Sequence, residues 1–282
     1  MQITPKRKNC MEVSGGRLTY QADYEMPGLA MQVSSRQSDR CMHGGGEVHY
    51  ISSCASGRIT RMMLADICGT ADIFKRLSCE MRNGLLRNIN SIWQKRVVAD
   101  MSKQFRDFAS QGGFATVSVA TYFAPTRSFV MCNIGNPPPL IFRASQRTWE
   151  VMHGETEPIS ESSECSESPE GVFDKADYRH IKTKLEIDDI VLLYGNGFAQ
   201  SKFPGGTTVG HSRLVDALQD SPHTEPKSRL NHLIRLILDN NQPEEDSTIL
   251  VCKVTKTGVR MRDNLLAPLR LFRRPRDETK LS

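Results

Sequence analysis

The sequence predicts an α+β domain in which antiparallel strands pack together and helices cover them. Short segments rich in Val, Ile, Thr and aromatic residues alternate in polarity and are separated by turn residues, a pattern typical of β-hairpins. Two longer regions, 71–109 and 212–240, instead carry apolar residues at the spacing of amphipathic helices. These observations predict strands and helices within one domain, and the sequence contains no internal repeat at a solenoid period.

The elements follow one another with clear turn signals between them. Glycines end the helical region at 112–113, and Pro-rich or Gly-rich turns separate most of the strands. The predicted elements are a partly ordered N-terminal arm at 1–40 with candidate strands at 19–24 and 30–34, a hairpin of strands 48–53 and 58–65, helices at 71–90 and 92–109, strands at 114–123, 128–133, 140–143, 149–152, 178–185 and 188–194, helices at 212–219 and 228–240, and a closing strand at 249–254.

Composition places the chain among ordinary globular proteins. It has 282 residues, of which 38% are hydrophobic and 24% charged, so a sizeable core is expected. No run approaches the ~18 apolar residues of a membrane span, and the first ten residues lack the apolar core of a secretory signal. The eight cysteines form no CxxC pair, which disfavours zinc. We expect a cytoplasmic protein with neither a transmembrane segment nor a nucleic-acid partner.

Two segments differ in composition from the rest. Residues 154–170 contain six Glu, five Ser and no Lys or Arg, which predicts a mobile surface loop. The tail at 257–282 is basic, with seven Arg or Lys against three acidic residues from 260 onward. Its apolar residues recur at helical spacing, which can indicate an acidic membrane surface or partner. We favour a disordered, solubilising tail, because the segment is short and contains Pro268.

Oxygen-bearing side chains mark four of the predicted turns. Glu47 precedes a strand of the first hairpin and Asp66 follows its second strand, so the two carboxylates lie at one end of that hairpin. Asn196 follows the buried strand at 188–194, and Glu245 with Asp246 precedes the last strand. Such a cluster would suit Mg²⁺ or Mn²⁺, which prefer carboxylate and water ligands. For any isolated pair of acidic residues, the simpler alternative to a metal site is that both side chains cap turns.

Six segments, in order, resemble the motifs of a known family, the PPM-type metal-dependent serine/threonine protein phosphatases. The nearest branch is the SpoIIE-like bacterial group, whose members act on regulators in partner-switching pathways. The resemblance extends from about residue 44 to residue 254. The segments that carry it are Gly45-Gly46-Glu47, Asp66-Ile67-Cys68-Gly69-Thr70-Ala71, Phe114-Ala115-Thr116, 133–140, 188–197 and Glu245-Asp246-Ser247-Thr248.

The resemblance implies a fold and a site. The fold is a four-layer α-β-β-α sandwich, in which two antiparallel sheets are flanked by helices 71–109 on one side and 212–240 on the other. The phosphatase domain would span 41–256. Two Mn²⁺ or Mg²⁺ ions would activate water for attack on a phosphoserine or phosphothreonine of a regulatory protein. The implied metal positions are Glu47, Asp66, Ile67, Asn196, Glu245 and Asp246, and the implied catalytic positions are Asp66 and Thr70.

The chain departs from the family at the metal-binding and catalytic positions. Where the family has metal-binding Asp, only Asp66 is unchanged, since Glu47 and Glu245 are one methylene longer and Asn196 is neutral. Thr70 stands in place of the family's His, which removes a possible proton donor. Two hypotheses follow: a weakened phosphatase that favours Mn²⁺, or a pseudophosphatase that keeps the fold and binds a phosphoprotein or regulatory partner. A third reading, an unrelated sandwich with coincidental motifs, is the least favoured.

Overall fold

A computed structural model describes residues 5–38, 45–109, 111–156, 178–220, 225–240 and 245–281. The elements within these ranges are β1 (Lys6–Arg7), β2 (Glu12–Arg17), β3 (Tyr20–Met26), β4 (Leu29–Arg36), β5 (Gly45–Ser53), β6 (Ile59–Cys68), α1 (Ala71–Arg87), α2 (Gln94–Ala109), β7 (Phe114–Phe123), β8 (Ser128–Ile134), β9 (Leu140–Arg143), β10 (Thr148–Val151), β11 (Glu155–Thr156), β12 (Tyr178–Lys184), β13 (Ile190–Tyr194), α3 (Asn196–Gln200), α4 (His211–Asp220), α5 (Pro226–Asn240), β14 (Ser247–Val254), α6 (Met261–Leu271) and β15 (Arg276–Leu281).

The strands form two sheets, as predicted. One sheet has the order β1-β3-β4-β14-β13-β9-β10, and the other has the order β11-β12-β8-β7-β6-β5-β2-β15. We predicted two antiparallel sheets, and most of the strand pairs are antiparallel, but β1 pairs with β3 and β15 pairs with β2 in parallel. These two pairs lie at sheet edges, and in neither pair does a hairpin connect the two strands. The sheets are therefore mixed.

Three apolar clusters divide the domain into four layers, which confirms the predicted sandwich. Side chains of β5, β6 and β7 pack against α1 and α2 on one outer face. The inner faces of the two sheets share a second cluster, which includes Met31, Met62 and Leu250. The third cluster lies between the other sheet and helices α4 and α5. Each sheet is thus covered on both faces, as expected for apolar strands in a layered domain.

The N-terminal segment is built into the domain. We predicted residues 1–40 as an arm that is partly ordered at best, yet β2 borders β5 and β4 borders β14. Both candidate strands are present as β3 and β4. Leu29 and Val33 of β4 are fully buried in the cluster between the sheets. Several polar residues that suggested a loose arm are instead buried within the sheets, among them Glu12, Ser14 and Ser35.

The C-terminal segment also differs from its prediction. Residues 261–271 form α6 and residues 276–281 form β15, so the described part of the tail is structured through Pro268. Of the acidic loop predicted at 154–170, Glu155 and Thr156 pair with β12 as β11, and residues 157–170 lie outside the described residues. No helix in the described ranges is long and apolar enough to cross a membrane.

Candidate active site

The predicted site residues meet at one end of the two sheets. Glu47 of β5 lies directly opposite Asp66 of β6, and Asp66 lies opposite Thr116 of β7. The prediction placed Asp66 just after its strand, whereas β6 continues to Cys68, so Asp66 is held on both sides by the sheet. Asn196 was predicted in a turn and instead begins the short helix α3. Its position follows from β13, which ends two residues earlier.

Glu47 is buried deeply, with only 3% of its surface exposed. Its Oε1 accepts a hydrogen bond of 3.0 Å from the backbone N–H of Gly197. Its Oε2 is buried and has no hydrogen-bond partner of normal geometry among the described residues. The carboxylate lies so close to Gly195 that a Cβ there would be 2.0 Å from Oε1. Glycine at 195 is therefore required by the longer side chain at 47.

Burial raises the pKa of Glu47 well above its usual value, and the neighbouring charge of Asp66 raises it further. The Gly197 amide and the nearby Thr248 hydroxyl offset part of this effect. The pKa of Asp66 is also raised, again chiefly by desolvation, while a hydrogen bond from Asn196 lowers it in part. The charged forms of these two adjacent carboxyl groups are therefore disfavoured. A nearby positive charge or a bound proton would lower this electrostatic cost.

A chain of hydrogen bonds fixes which way the Asn196 amide points. The Nδ2 of Asn136 donates to the Leu64 carbonyl at 3.1 Å, so its Oδ1 must be the atom that accepts from the Thr116 hydroxyl at 2.7 Å. Thr116 has then used its only hydrogen and can only accept from Asn196 Nδ2, at 3.2 Å. The same Nδ2 lies 3.4 Å from Asp66 Oδ2. Asn196 thus presents N–H donors, which cannot ligate a cation, to Asp66.

Asp246 is tied to an arginine that sequence analysis did not identify. Arg17 of β2 contacts both carboxylate oxygens, with Nε 2.7 Å from Oδ2 and Nη2 3.3 Å from Oδ1. The backbone N–H groups of Ser38 and Glu47 donate to the same carboxylate at 2.8 and 3.2 Å. Asp246 is only 3% exposed. Gly46 makes room for this pair, because a Cβ there would be 2.4 Å from Asp246 Oδ2.

The remaining predicted residues occupy the edges of this cluster. The Ile67 side chain is a hydrocarbon and is fully buried in the core. The backbone carbonyl is therefore the only oxygen that Ile67 could offer as a ligand. Thr70 caps α1, with its hydroxyl accepting from the Ile73 N–H at 3.3 Å. Glu245 is exposed. The cluster proper therefore consists of Glu47, Asp66 and Asp246, joined by Asn196 and Arg17.

The donor set does not fit a pair of divalent ions. Mg²⁺ and Mn²⁺ require oxygen lone pairs directed at one point. Asn196 directs N–H groups there, and the lone pairs of Asp246 are used by Arg17 and two amides. Among the described residues, no three His, Cys, Asp or Glu side chains converge as a metal-binding group. The Oε2 of Glu47, which is buried without a hydrogen-bond partner among the described residues, has the character of an available ligand.

Solved structures identify the class of fold. The chain resembles the RsbU and RsbW domains of a Mycobacterium tuberculosis protein (TM-score 0.60, 16% identity), covering 82% of this chain but only 63% of that one. It also resembles the phosphatase domain of SpoIIE from Bacillus subtilis (TM-score 0.54, 13% identity), covering 82% and 95%. A third is the catalytic domain of the serine/threonine phosphatase PstP in complex with two manganese ions (TM-score 0.53, 13% identity), covering 81% and 99%. At these identities the similarity establishes a PP2C-type phosphatase fold.

The family is established by sequence. The family model of Stage II sporulation protein E (SpoIIE) matches residues 60–255, which is well over half of the chain. The chain belongs to the SpoIIE family, as its motifs predicted. The match begins in β6, so Asp66, Asn196 and Asp246 lie within it, whereas Arg17 and Glu47 precede it. A search of curated proteins finds no significant match.

Proposed function

We propose that this SpoIIE-type domain is a pseudophosphatase, in which an internal arginine takes the place of a metal and the fold serves to bind a regulatory protein. The observation that carries this proposal is the Arg17–Asp246 ion pair in the middle of the candidate site. A guanidinium at this position neutralises the carboxylate and would repel a second cation. Arg17 also lies over the Phe74 ring, 5.6 Å from its centroid, so it is held in place from a second side.

The substitutions in the sequence agree with this arrangement. Asn196 in place of Asp removes one negative charge, and the hydrogen bonds of Thr116 hold its amide as a donor. Arg17 removes a second charge by pairing with Asp246. A site that has lost two units of negative charge no longer stabilises four units of positive charge from two divalent ions. The scaffold around it is intact, which supports a retained binding role.

A second candidate function, a weakened Mn²⁺-dependent phosphatase, is supported by Glu47. Its Oε2 is buried without a partner beside Asp66, and burial raises the pKa of both groups. A cation between these two carboxylates would supply the missing partner. Asp66 would then act as a ligand. This arrangement offers one cation position rather than two, so hydrolysis would be slow.

The partner is proposed from the family rather than from a contact in the structure. One structural neighbour carries an RsbW domain beside its RsbU domain, and members of the SpoIIE-like branch act on regulators in partner-switching pathways. We propose a phosphoprotein or its regulator as the partner, in a cytoplasmic setting. The six cysteines among the described residues are free thiols, which agrees with a reducing compartment.

Turnover of para-nitrophenyl phosphate in excess Mn²⁺ and, separately, excess Mg²⁺ distinguishes the two candidates. We expect the rate with the protein to equal the rate in buffer, because the two-metal centre that activates water is not formed. The control is Asp66→Asn, which removes the one unchanged family carboxylate. Mn²⁺-dependent turnover that disappears in Asp66→Asn would contradict the pseudophosphatase and favour the weakened enzyme.

A further inference from the structure

The last helix, α6, turns its apolar side chains toward solvent. Met261, Leu265, Leu269 and Phe272 recur at intervals of four, four and three residues, which places them along one face. They are 79%, 71%, 62% and 91% exposed, respectively. No residue of α6 is buried. The outward face of α6 is therefore its apolar face, the reverse of an ordinary surface helix.

Polar contacts hold the helix in this orientation. Arg270 donates to the Ala55 carbonyl at 3.0 Å through Nη1 and to Asp263 at 3.0 Å through Nη2. Arg58 donates to the Asn264 side chain at 3.0 Å. Arg7 pairs with Asp263 at 3.3 Å. The helix is thus attached to the turn between β5 and β6 through its polar face, and its apolar stripe remains outside.

Positive charge surrounds this stripe. Arg260, Arg262, Arg273 and Arg274 are all exposed, and residues 260–282 hold nearly all of the chain's net charge of +5. A second exposed apolar pair, Ile92 and Trp93, at 58% and 68%, lies in the connection between α1 and α2. That connection contacts the same turn, because the Ala55 N–H donates to the Asn90 side chain at 2.9 Å. This end of the sheet therefore combines exposed apolar side chains with arginines.

We propose that α6 docks the domain onto an anionic lipid surface. A helix that lies in a membrane interface combines an apolar face rich in Leu and Phe with basic residues. In α6 the apolar face is exposed, and the exposed arginines lie near the two ends of the helix. The stripe is narrow, and it extends about 16 Å along the helix at 1.5 Å per residue, as suits insertion into the headgroup region. The arginines beside it complement acidic headgroups, each contributing attraction near such a surface.

The position of α6 leaves the candidate active site accessible. The helix contacts the turn after β5, whereas Glu47 is near the beginning of that strand. The six steps along the strand from Glu47 to Ser53 span about 20 Å. A domain docked through α6 would therefore direct its carboxylate cluster away from the lipid. This orientation would present the site to a soluble partner.

Co-sedimentation with vesicles tests the proposal. The full chain is mixed with vesicles of phosphatidylcholine alone or with roughly 30% phosphatidylserine, an anionic leaflet. We expect sedimentation with the anionic vesicles and little with the neutral ones. Leu265→Glu with Leu269→Glu should abolish it, and Arg273→Gln with Arg274→Gln should weaken partitioning roughly 30-fold, at about fivefold per arginine lost.

Matched controls alter exposed residues on other surfaces. Phe114→Glu changes another exposed apolar side chain, 53% accessible, and Arg213→Gln with Arg235→Gln removes two exposed charges of α4 and α5. Both should sediment as the parent does. Unchanged sedimentation of the Leu265/Leu269 variant would overturn the proposal. So would concentration-dependent dimerisation without vesicles that this variant removes, because a second copy would then cover the stripe.

Discussion

Replacing Asp246 with Asn is expected to lower the free energy of unfolding by about 3–5 kcal/mol, the usual effect of removing one partner of a buried ion pair. The carboxylate is 3% exposed and accepts from Arg17, Ser38 and Glu47. Asn retains one acceptor oxygen, but its NH₂ group would face a guanidinium or a backbone N–H. Arg17, whose side chain is 18% exposed, would keep its charge without a counter-charge.

Urea unfolding of parent and variant measures this loss. The control is Asp239→Asn, in which the altered carboxyl is 71% exposed and pairs with Arg36 at 3.6 Å. Exposed pairs contribute only ~0–1 kcal/mol, so this variant should unfold close to the parent. A loss in Asp246→Asn no larger than that in the control would contradict the internal ion pair as a structural element of the site.

Replacing Glu47 with Gln is expected to raise the free energy of unfolding at pH 8, because Gln carries no charge that burial would disfavour. The pKa of Glu47 is raised in the folded state, chiefly by burial. The folded protein then binds more protons than the unfolded chain once the pH exceeds the unfolded pKa. Glu47 therefore costs no stability below the unfolded pKa, near 4.5. The free energy of unfolding then falls as the pH rises toward the folded pKa. Gln cannot ionise, so this loss disappears.

Unfolding measured between pH 5 and pH 8, a range that lies above the usual carboxyl pKa, gives the comparison. The parent should lose stability with rising pH more steeply than Glu47→Gln. Glu186→Gln alters an exposed carboxyl and should follow the parent. Parallel profiles for the parent and Glu47→Gln would mean that Glu47 ionises as freely in the fold as in the unfolded chain.

Sequence patterns predicted much of the fold because the patterns are local. The hairpin of Glu47 and Asp66 is specified by two alternating strands and one short turn, and the structure pairs the two acids directly. The helical spacing after Thr70 likewise predicted α1, which begins at Ala71. The two parallel edge pairs were missed, since β2 and β15 are separated by most of the chain and neither carries a signal for the other.

The chemistry of the site depended on contacts that no local pattern records. Arg17 and Asp246 are 229 positions apart, and Arg17 lies in a segment with weak periodicity. The role of Asn196 depends on Thr116 and Asn136, whose hydrogen bonds decide that its amide donates. The motif comparison showed that Asn196 is neutral where the family has a charged Asp. The structure adds that hydrogen bonds fix its side-chain amide as a donor. A family motif thus located the site, whereas tertiary contacts determine its charge.

In the C-terminal tail, the local pattern was visible in the sequence, but the contacts that stabilise the helix were not. Its helical spacing was visible in the sequence, but Pro268 favoured disorder. The helix nevertheless continues through Pro268, because Asn264 and Arg270 attach it to the turn after β5 and Asp263 pairs with Arg7. Tertiary contacts of this kind override the local cost of one proline. The sequence could predict the apolar stripe, and only the structure could place it on the outside.

The central claim is that Arg17 occupies the place of a metal, and calorimetric titration with Mn²⁺ tests it most directly. Three proteins are compared: the parent, Asn196→Asp with Glu245→Asp, and the same pair with Arg17→Gln added. The account predicts no binding to the first two. It predicts binding in the third, at least about 10–100-fold tighter than the weakest binding that the titration detects, the scale on which ligand environment alters metal affinity. Two Mn²⁺ ions bound by the parent, or equal affinity in the double and triple variants, would contradict it.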